Sequence, residues 1–270
     1  MKTAIKSIST ILVGLIVWAF FIEPSLLLVK REEVSGWTGP PMKVVFFSDL
    51  HAGSPHINKK YIHKLVDKIN KESPDLVLIG GDLVINGIFG GEELPLQDVI
   101  DLIKQIKSTY GIYAVLGNHE WWHGSKEIID AFQRNGIPIL QNQSVKLTLN
   151  NHFQFWLVGL DDAATGHSRP DLAFSKVDEN LPRLVFTHDP AAFIDFKYDY
   201  FLAIAGHLHG GQINIPLFGT LFTPGDAPKT WSQGWVKGKN LFVSKGIGTS
   251  IFPIRFNAPP EFVVFDFINN

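Results

Sequence analysis

The chain has 270 residues, a formal net charge of −2, only 19% charged residues and no cysteine. Without cysteine there can be no disulfide, no lipoprotein-type thiol anchor and no thiolate metal ligand. The near-neutral balance and the lack of a basic stripe count against nucleic acid as the main partner.

The N-terminus comes first. Lys2 and Lys6 precede an uncharged stretch from Ser7 to Ile22, which Glu23-Pro24 ends. Leu26–Val29 add a further apolar patch before Lys30-Arg31. The stretch falls a little short of the roughly 20 residues that span a bilayer. The expectation is an uncleaved signal-anchor over residues 1–30, with a catalytic domain over 38–270. A cleaved signal and a soluble packing helix are the other readings. Lys2 and Lys6 favour a cytoplasmic N-terminus and an extracytoplasmic domain in the cell membrane.

The remaining residues, about 230 of them, suffice for one α/β domain with its own core. Apolar runs at Val44–Phe47, Leu76–Ile79, Ile112–Leu116, Leu184–Phe186 and Phe201–Ala205 suit strands buried on both faces. Helix-length segments separate the early runs. Asn58–Glu72 carries Ile62, Leu65, Val66 and Ile69 on one face, an amphipathic helix. Pro95–Ser108 starts on a proline suited to a first turn. Ser125–Asn135 is followed by Gly136 and Pro138, a stop signal.

After residue 138 the pattern changes. Val145–Leu149 and Phe153–Gly159, joined at Asn150-Asn151, predict a hairpin. Leu241–Ser244 and Phe262–Phe267 predict further strands. Pro216–Gly238, rich in Gly, Pro, Thr and Trp, predicts a long surface loop near a site mouth. The sum is an α/β fold, two mixed sheets packed face to face with helices outside.

Several of the predicted strands end on a polar cluster. The clusters are Asp49-Leu50-His51, Gly81-Asp82, Gly117-Asn118-His119-Glu120, Thr187-His188-Asp189-Pro190 and Gly206-His207-Leu208-His209. Loops at the carboxyl ends of strands converge on one crevice in open α/β sheets. Asp49, His51, Asp82, Asn118, His188, His207 and His209 would then meet, enough donors for two divalent ions. Imidazole and carboxylate donors suit Mn, Fe or Zn.

The ordered set D-x-H, G-G-D, G-N-H-E, a single His and G-H-x-H resembles the calcineurin-like metallophosphoesterases over nearly all of residues 43–270. Ile22-Glu23-Pro24, the run Gly206–Gln212, Gly246-Ile247-Gly248 and Pro253-Ile254-Arg255 resemble the membrane-associated bacterial phosphodiesterase branch of the YkuE/YaeI type. The resemblance implies a four-layer α/β/β/α sandwich with an N-terminal hydrophobic helix. It implies one metal on Asp49, His51 and His209, another on Asn118, His188 and His207, and Asp82 bridging them. A water activated between the ions would attack phosphorus in line with the leaving oxygen, with no covalent enzyme intermediate.

The resemblance further implies that His119 binds no metal and acts as general acid toward the leaving group, oriented by Glu120 or Asp161. Arg255 and Gln212 are candidate substrate contacts, and Trp121 and Trp122 candidate pocket walls. The expected reaction is phosphodiester or pyrophosphate hydrolysis, on a substrate that the N-terminal segment would make lipid-linked. A UDP-2,3-diacylglucosamine pyrophosphohydrolase, which works on the cytoplasmic face, and a catalytically inactive metal-binding scaffold are the alternatives.

Overall fold

A computed structural model describes residues 2–85 and 90–269. In chain order its elements are helix α1 (Lys2–Val17), strands β1 (Leu28–Val34) and β2 (Met42–Phe47), helix α2 (Lys59–Glu72), β3 (Leu76–Ile79), α3 (Leu96–Ile103), β4 (Ile112–Ala114), α4 (Asn118–His123) and α5 (Ser125–Arg134). There follow β5 (Gln143–Thr148), β6 (Gln154–Gly159), α6 (Pro170–Ala173), β7 (Arg183–Phe186), β8 (Leu202–Ala205), the short β9 (Asn214–Ile215), β10 (Gly219–Thr220) and β11 (Gly234–Trp235), then β12 (Leu241–Val243) and β13 (Glu261–Phe267).

Two mixed sheets form the centre. One has the order β1-β13-β2-β3-β4, the other β11-β12-β8-β7-β6-β5. In the first, β2, β3 and β4 run parallel while β13 is antiparallel to β2. In the second, β6, β7, β8 and β12 run parallel, and the predicted hairpin β5–β6 adds an antiparallel edge.

Alternation within the strands explains the layers. Val44 and Phe46 of β2 face the second sheet, packing in one core with Phe155, Leu184, Phe186 and Ile204. Val45 and Phe47 point the other way, onto Ile62, Leu65 and Ile69 of α2 and Ile100 and Ile103 of α3. A strand buried on both faces cannot carry polar residues in its interior, hence the continuous apolar runs. The outer layer of the second sheet is thin. Val158, Val185 and Ala203 are covered by Ala173 of α6, by Phe174 and by Phe193, not by long helices.

The helices end where local chemistry stops them. Asn58 caps α2, its side chain accepting from the Tyr61 N–H. Ser73 takes a left-handed conformation at the other end. The predicted helix over 95–108 ends early, at Ile103, where the chain turns. Gly124 occupies the cap position of α5.

Among the described residues, Lys6–Ser25 is the one helix long and apolar enough to cross a membrane by length and composition. Its base is fastened to the domain. Arg255 N–H donates to the Ala19 carbonyl, and Ala258 N–H to Glu23 Oε1 at 2.6 Å. Trp18 Nε1 donates to the other Glu23 oxygen. Strand β1 pairs with β13 from Leu28 to Val34 and so brings the first sheet up to the helix base.

Candidate metal centre

The clusters do converge. Asp49 and His51 follow β2, Asp82 follows β3, Asn118 opens α4 just after β4, His188 follows β7, and His207 and His209 follow β8. All seven side chains are buried. Parallel strands of both sheets therefore deliver their carboxyl ends to one place, as open α/β sheets do.

The loops are bent sharply to achieve this. Asp49, His51, Asp82, His207 and His209 all have positive φ, between 47° and 69°. A left-handed non-glycine residue costs on the order of 1–3 kcal/mol and concentrates at functional sites. Glycine supplies clearance rather than conformation at Gly117, where an added Cβ would collide with the Asp82 carboxylate. At Gly206 it would lie 2.6 Å from Asp49 Oδ2.

Two donor groups share Asp82. In the first, His51 Nε2 lies 3.2 Å from His209 Nε2, which is 3.4 Å from Asp49 Oδ1. Asp82 Oδ2 is 3.7 Å from His51 Nε2 and 3.2 Å from His188 Nε2, so it faces both groups. In the second, His188 Nε2 also meets Asn118 Oδ1 at 3.1 Å and His207 Nδ1 at 3.0 Å. The three-residue sets Asp49/His51/His209, His51/Asp82/His119 and Asp82/His188/His207 each have donor atoms within 4.8 Å of one another.

His188 Nδ1 lies 2.7 Å from the Gly80 carbonyl and gives its proton there. Nε2 then faces a carboxylate, an amide oxygen and another imidazole nitrogen, and in the metal-free protein the Asp82 carboxylate favours a proton on it. A metal ion would replace that proton, and the donor set of imidazoles, carboxylates and one amide suits a divalent transition ion.

Burial shapes the charge states. It pushes His51 and His207 well below the ordinary imidazole value, and His209 to about 4. Neutral imidazoles need lose no proton to bind a metal. Burial also works against charge on His188, but the Asp82 carboxylate outweighs it and holds His188 well above the usual range. Asp49 is pushed up by burial, yet His209, His188 and the Ser48 hydroxyl, 2.5 Å from Oδ2, bring it below the usual carboxylate range.

His119 sits beside the donors. Its ring lies edge-on to His51, 4.9 Å between centroids. Its backbone N–H donates to Asp82 Oδ1 at 2.9 Å. Its Nδ1 is buried without a hydrogen-bond partner. The ring lines a cavity of about 430 Å³ together with Asp82, Asn118, Trp122 and His207. Burial lowers the His119 pKa to about 4.

Neither residue expected to orient His119 does so by a hydrogen bond. Glu120 accepts from three backbone N–H groups, those of Asp82 and Leu83 at 2.7 Å and of Gly117 at 2.8 Å. It straps the Asp82 loop to the start of α4, using half of a capping box. Asp161 accepts from Trp121 Nε1, and Trp121 stacks on His167 at 3.6 Å. Only Trp122 of the tryptophan pair lines the cavity.

Arg255 corrects a second expectation. It is fully buried, and its guanidinium donates to the carbonyls of Gly248, Ala258 and Lys245 at 2.5, 2.7 and 2.9 Å. It has no face open to a phosphate. It holds the 245–248 turn, whose Gly246 and Gly248 pack against Asp49 and His51. Gln212 is likewise engaged with protein. Its Oε1 accepts from the Ser250 N–H at 2.6 Å, clamping the adjacent loop. Sequence reasoning missed Glu120 and Arg255 as braces because long-range backbone contacts leave no local pattern.

This geometry makes a candidate site for divalent metals on an α/β/β/α sandwich. The calcineurin-like phosphoesterase family matches residues 42–211, and the chain belongs to that family of metal-dependent phosphoester hydrolases. It is 30% identical to Phosphodiesterase YaeI of Escherichia coli over 262 residues, 92% of this chain and 91% of that one. It is 27% identical to the metallophosphoesterase YkuE of Bacillus subtilis, covering 92% and 88%. It is 32% identical to the metallophosphoesterase Cj0846 of Campylobacter jejuni over 83% of this chain, but spans only 59% of that relative.

Proposed function

We propose that the chain is a dinuclear phosphodiesterase. Asp49, His51 and His209 would hold one ion, Asn118, His188 and His207 would hold the other, and Asp82 would be shared by the two. The observation that carries this reading is the position of Asp82 Oδ2 between two clusters of buried donors, 3.7 Å from His51 Nε2 on one side and 3.2 Å from His188 Nε2 on the other.

Two divalent ions there would stabilise charge on the phosphate and acidify a water to a nucleophile near neutral pH. The chain's own residues do the rest. The positive-φ loops hold the donors in place before any ion arrives. His119 gives a proton to the departing alkoxide, a contribution of about 10²–10⁴-fold. Its neutral state in the free protein follows from burial, and an anionic phosphodiester beside the ring favours the imidazolium. Trp122, edge-on to His119 at 5.0 Å, walls the leaving-group side.

The apolar helix over Lys6–Ser25 supports a single-pass anchor. With Lys2 and Lys6 on the cytoplasmic side, the domain lies on the extracytoplasmic face, where a lipid-linked phosphate is within reach. Manganese, iron or zinc fits the donors.

Hydrolysis of bis-p-nitrophenyl phosphate by the full chain, with and without Mn²⁺ between pH 5 and 9, tests the reading. Metal-dependent release of p-nitrophenol is expected. No hydrolysis at any pH, with metal bound, would favour a metal-holding scaffold.

A further inference from the structure

A second cavity adjoins the metal centre. Its volume is about 270 Å³, and Leu208, Ile213, Leu221, Phe222, Phe252 and Ile254 supply apolar walls. It shares His209, Pro224, Ser250 and Ile251 with the cavity that holds His119. The two cavities are therefore neighbours on either side of these residues.

The rim of this second cavity is apolar and exposed. Phe222 is 62% exposed, and Ile251 and Phe252 are 64%. The β9–β10 hairpin places Leu217 and Phe218 at its tip, 103% and 83% exposed. Turns of this kind ordinarily carry Gly, Asn or Asp. Large apolar residues there, at positive φ for Leu217 and Ile251, are not explained by the turn itself. Contiguous exposed apolar residues of this kind mark interaction sites.

The same rim lies beside the base of the apolar helix. His56 interacts with the backbone of both Phe20 and Pro253, and Arg255 N–H donates to Ala19. The loop that carries Ile251 and Phe252 therefore lies next to the helix base.

We propose that this cavity takes the hydrocarbon chain of an amphiphilic phosphodiester whose phosphate lies at the metal centre, and that the tips at 217–218 and 251–252 rest in the bilayer surface. This names the substrate class for the reaction proposed above and rests on that reading. A bound chain removes its methylenes from water. Each is worth about a three- to fourfold gain in affinity until the cavity is filled.

The test uses the metal-loaded full chain in phospholipid nanodiscs. Binding of alkylphosphonates with one to ten carbons is measured by calorimetry. Hydrolysis is measured on p-nitrophenyl alkyl phosphates of matching lengths. Phe222→Asp and Ile254→Asp serve as comparison variants. Partition into nanodisc lipid is common to all proteins, so the difference between parent and variant reads the cavity.

The expected result is affinity and kcat/KM rising with chain length in the parent and much less in the variants. Turnover of the methyl ester should be equal in all three. Ile254 is partly buried and its variant could fail to fold; Phe222 is exposed and keeps the comparison alive. Equal chain-length dependence in parent and Phe222→Asp overturns the hydrocarbon site, whatever the enzyme hydrolyses. Chain-length-dependent phosphonate binding without any hydrolysis would support the cavity while sinking the phosphodiesterase reading.

Discussion

Replacing Arg255 by methionine keeps most of the side-chain volume and removes every donor. In the folded protein the guanidinium satisfies the carbonyls of Gly248 and Ala258 at 2.5 and 2.7 Å, with weaker support to Lys245 and Gly246. A buried acceptor left unsatisfied costs about 1–3 kcal/mol. Two such carbonyls give roughly 2–6 kcal/mol. Relief of the buried charge offsets part of this, since burial pulls the Arg255 pKa down to about 10.

A net loss of about 3 kcal/mol lowers the melting temperature by roughly 6–12 °C in a domain of this size. Thermal unfolding of the full chain in detergent, followed by near-ultraviolet circular dichroism, reads it. The first metal should also bind more weakly, because the 245–248 turn supports Asp49 and His51. An unchanged melting temperature together with a tenfold rise in KM for bis-p-nitrophenyl phosphate would refute the reasoning and place Arg255 on the substrate.

Three further outcomes are expected. His119→Ala should retain both metals by elemental analysis and lose about 10²–10⁴-fold in kcat; an equal loss of metal would remove it from the acid role. Asp189 is buried, pushed up by that burial to about 6, and its Oδ2 has no partner. Its carboxylate therefore destabilises the fold as pH rises from about 4 through 6. Asp189→Asn in the chelated protein should be more stable than the parent at pH 8, by up to about 3 kcal/mol, and no more stable at pH 4. A gain that is the same at both pH values would contradict this. Finally, the chain has no cysteine, so a single Lys229→Cys should react with a membrane-impermeant maleimide on intact cells. Labelling seen only after lysis would place the domain on the cytoplasmic side.

The strands and the seven donors could be read from sequence because each depends on local pattern. Val44–Phe47 is apolar throughout since both its faces are covered, and Asp49 and His51 follow where the strand must end. The α4 turn was hidden in the Gly117–Glu120 cluster because six residues carry too little periodicity to reveal a helix. Strand β1 was hidden because its Lys30, Arg31, Glu32 and Glu33 sit on a sheet edge, where charge is tolerated. The roles of Arg255 and Glu120 were hidden for a different reason. Both act on backbone groups brought close only by the fold, so an arginine near a phosphate site and an arginine bracing a loop look alike in sequence.

Metal content of Asp82→Asn beside the parent tests the central claim most directly. After incubation with Mn²⁺ and gel filtration, the parent should carry two metal ions per chain. The variant should lose occupancy in both positions and with it the hydrolysis of bis-p-nitrophenyl phosphate. Full retention of two ions by the variant would contradict a shared Asp82, and a parent that never binds more than one would contradict the dinuclear centre itself.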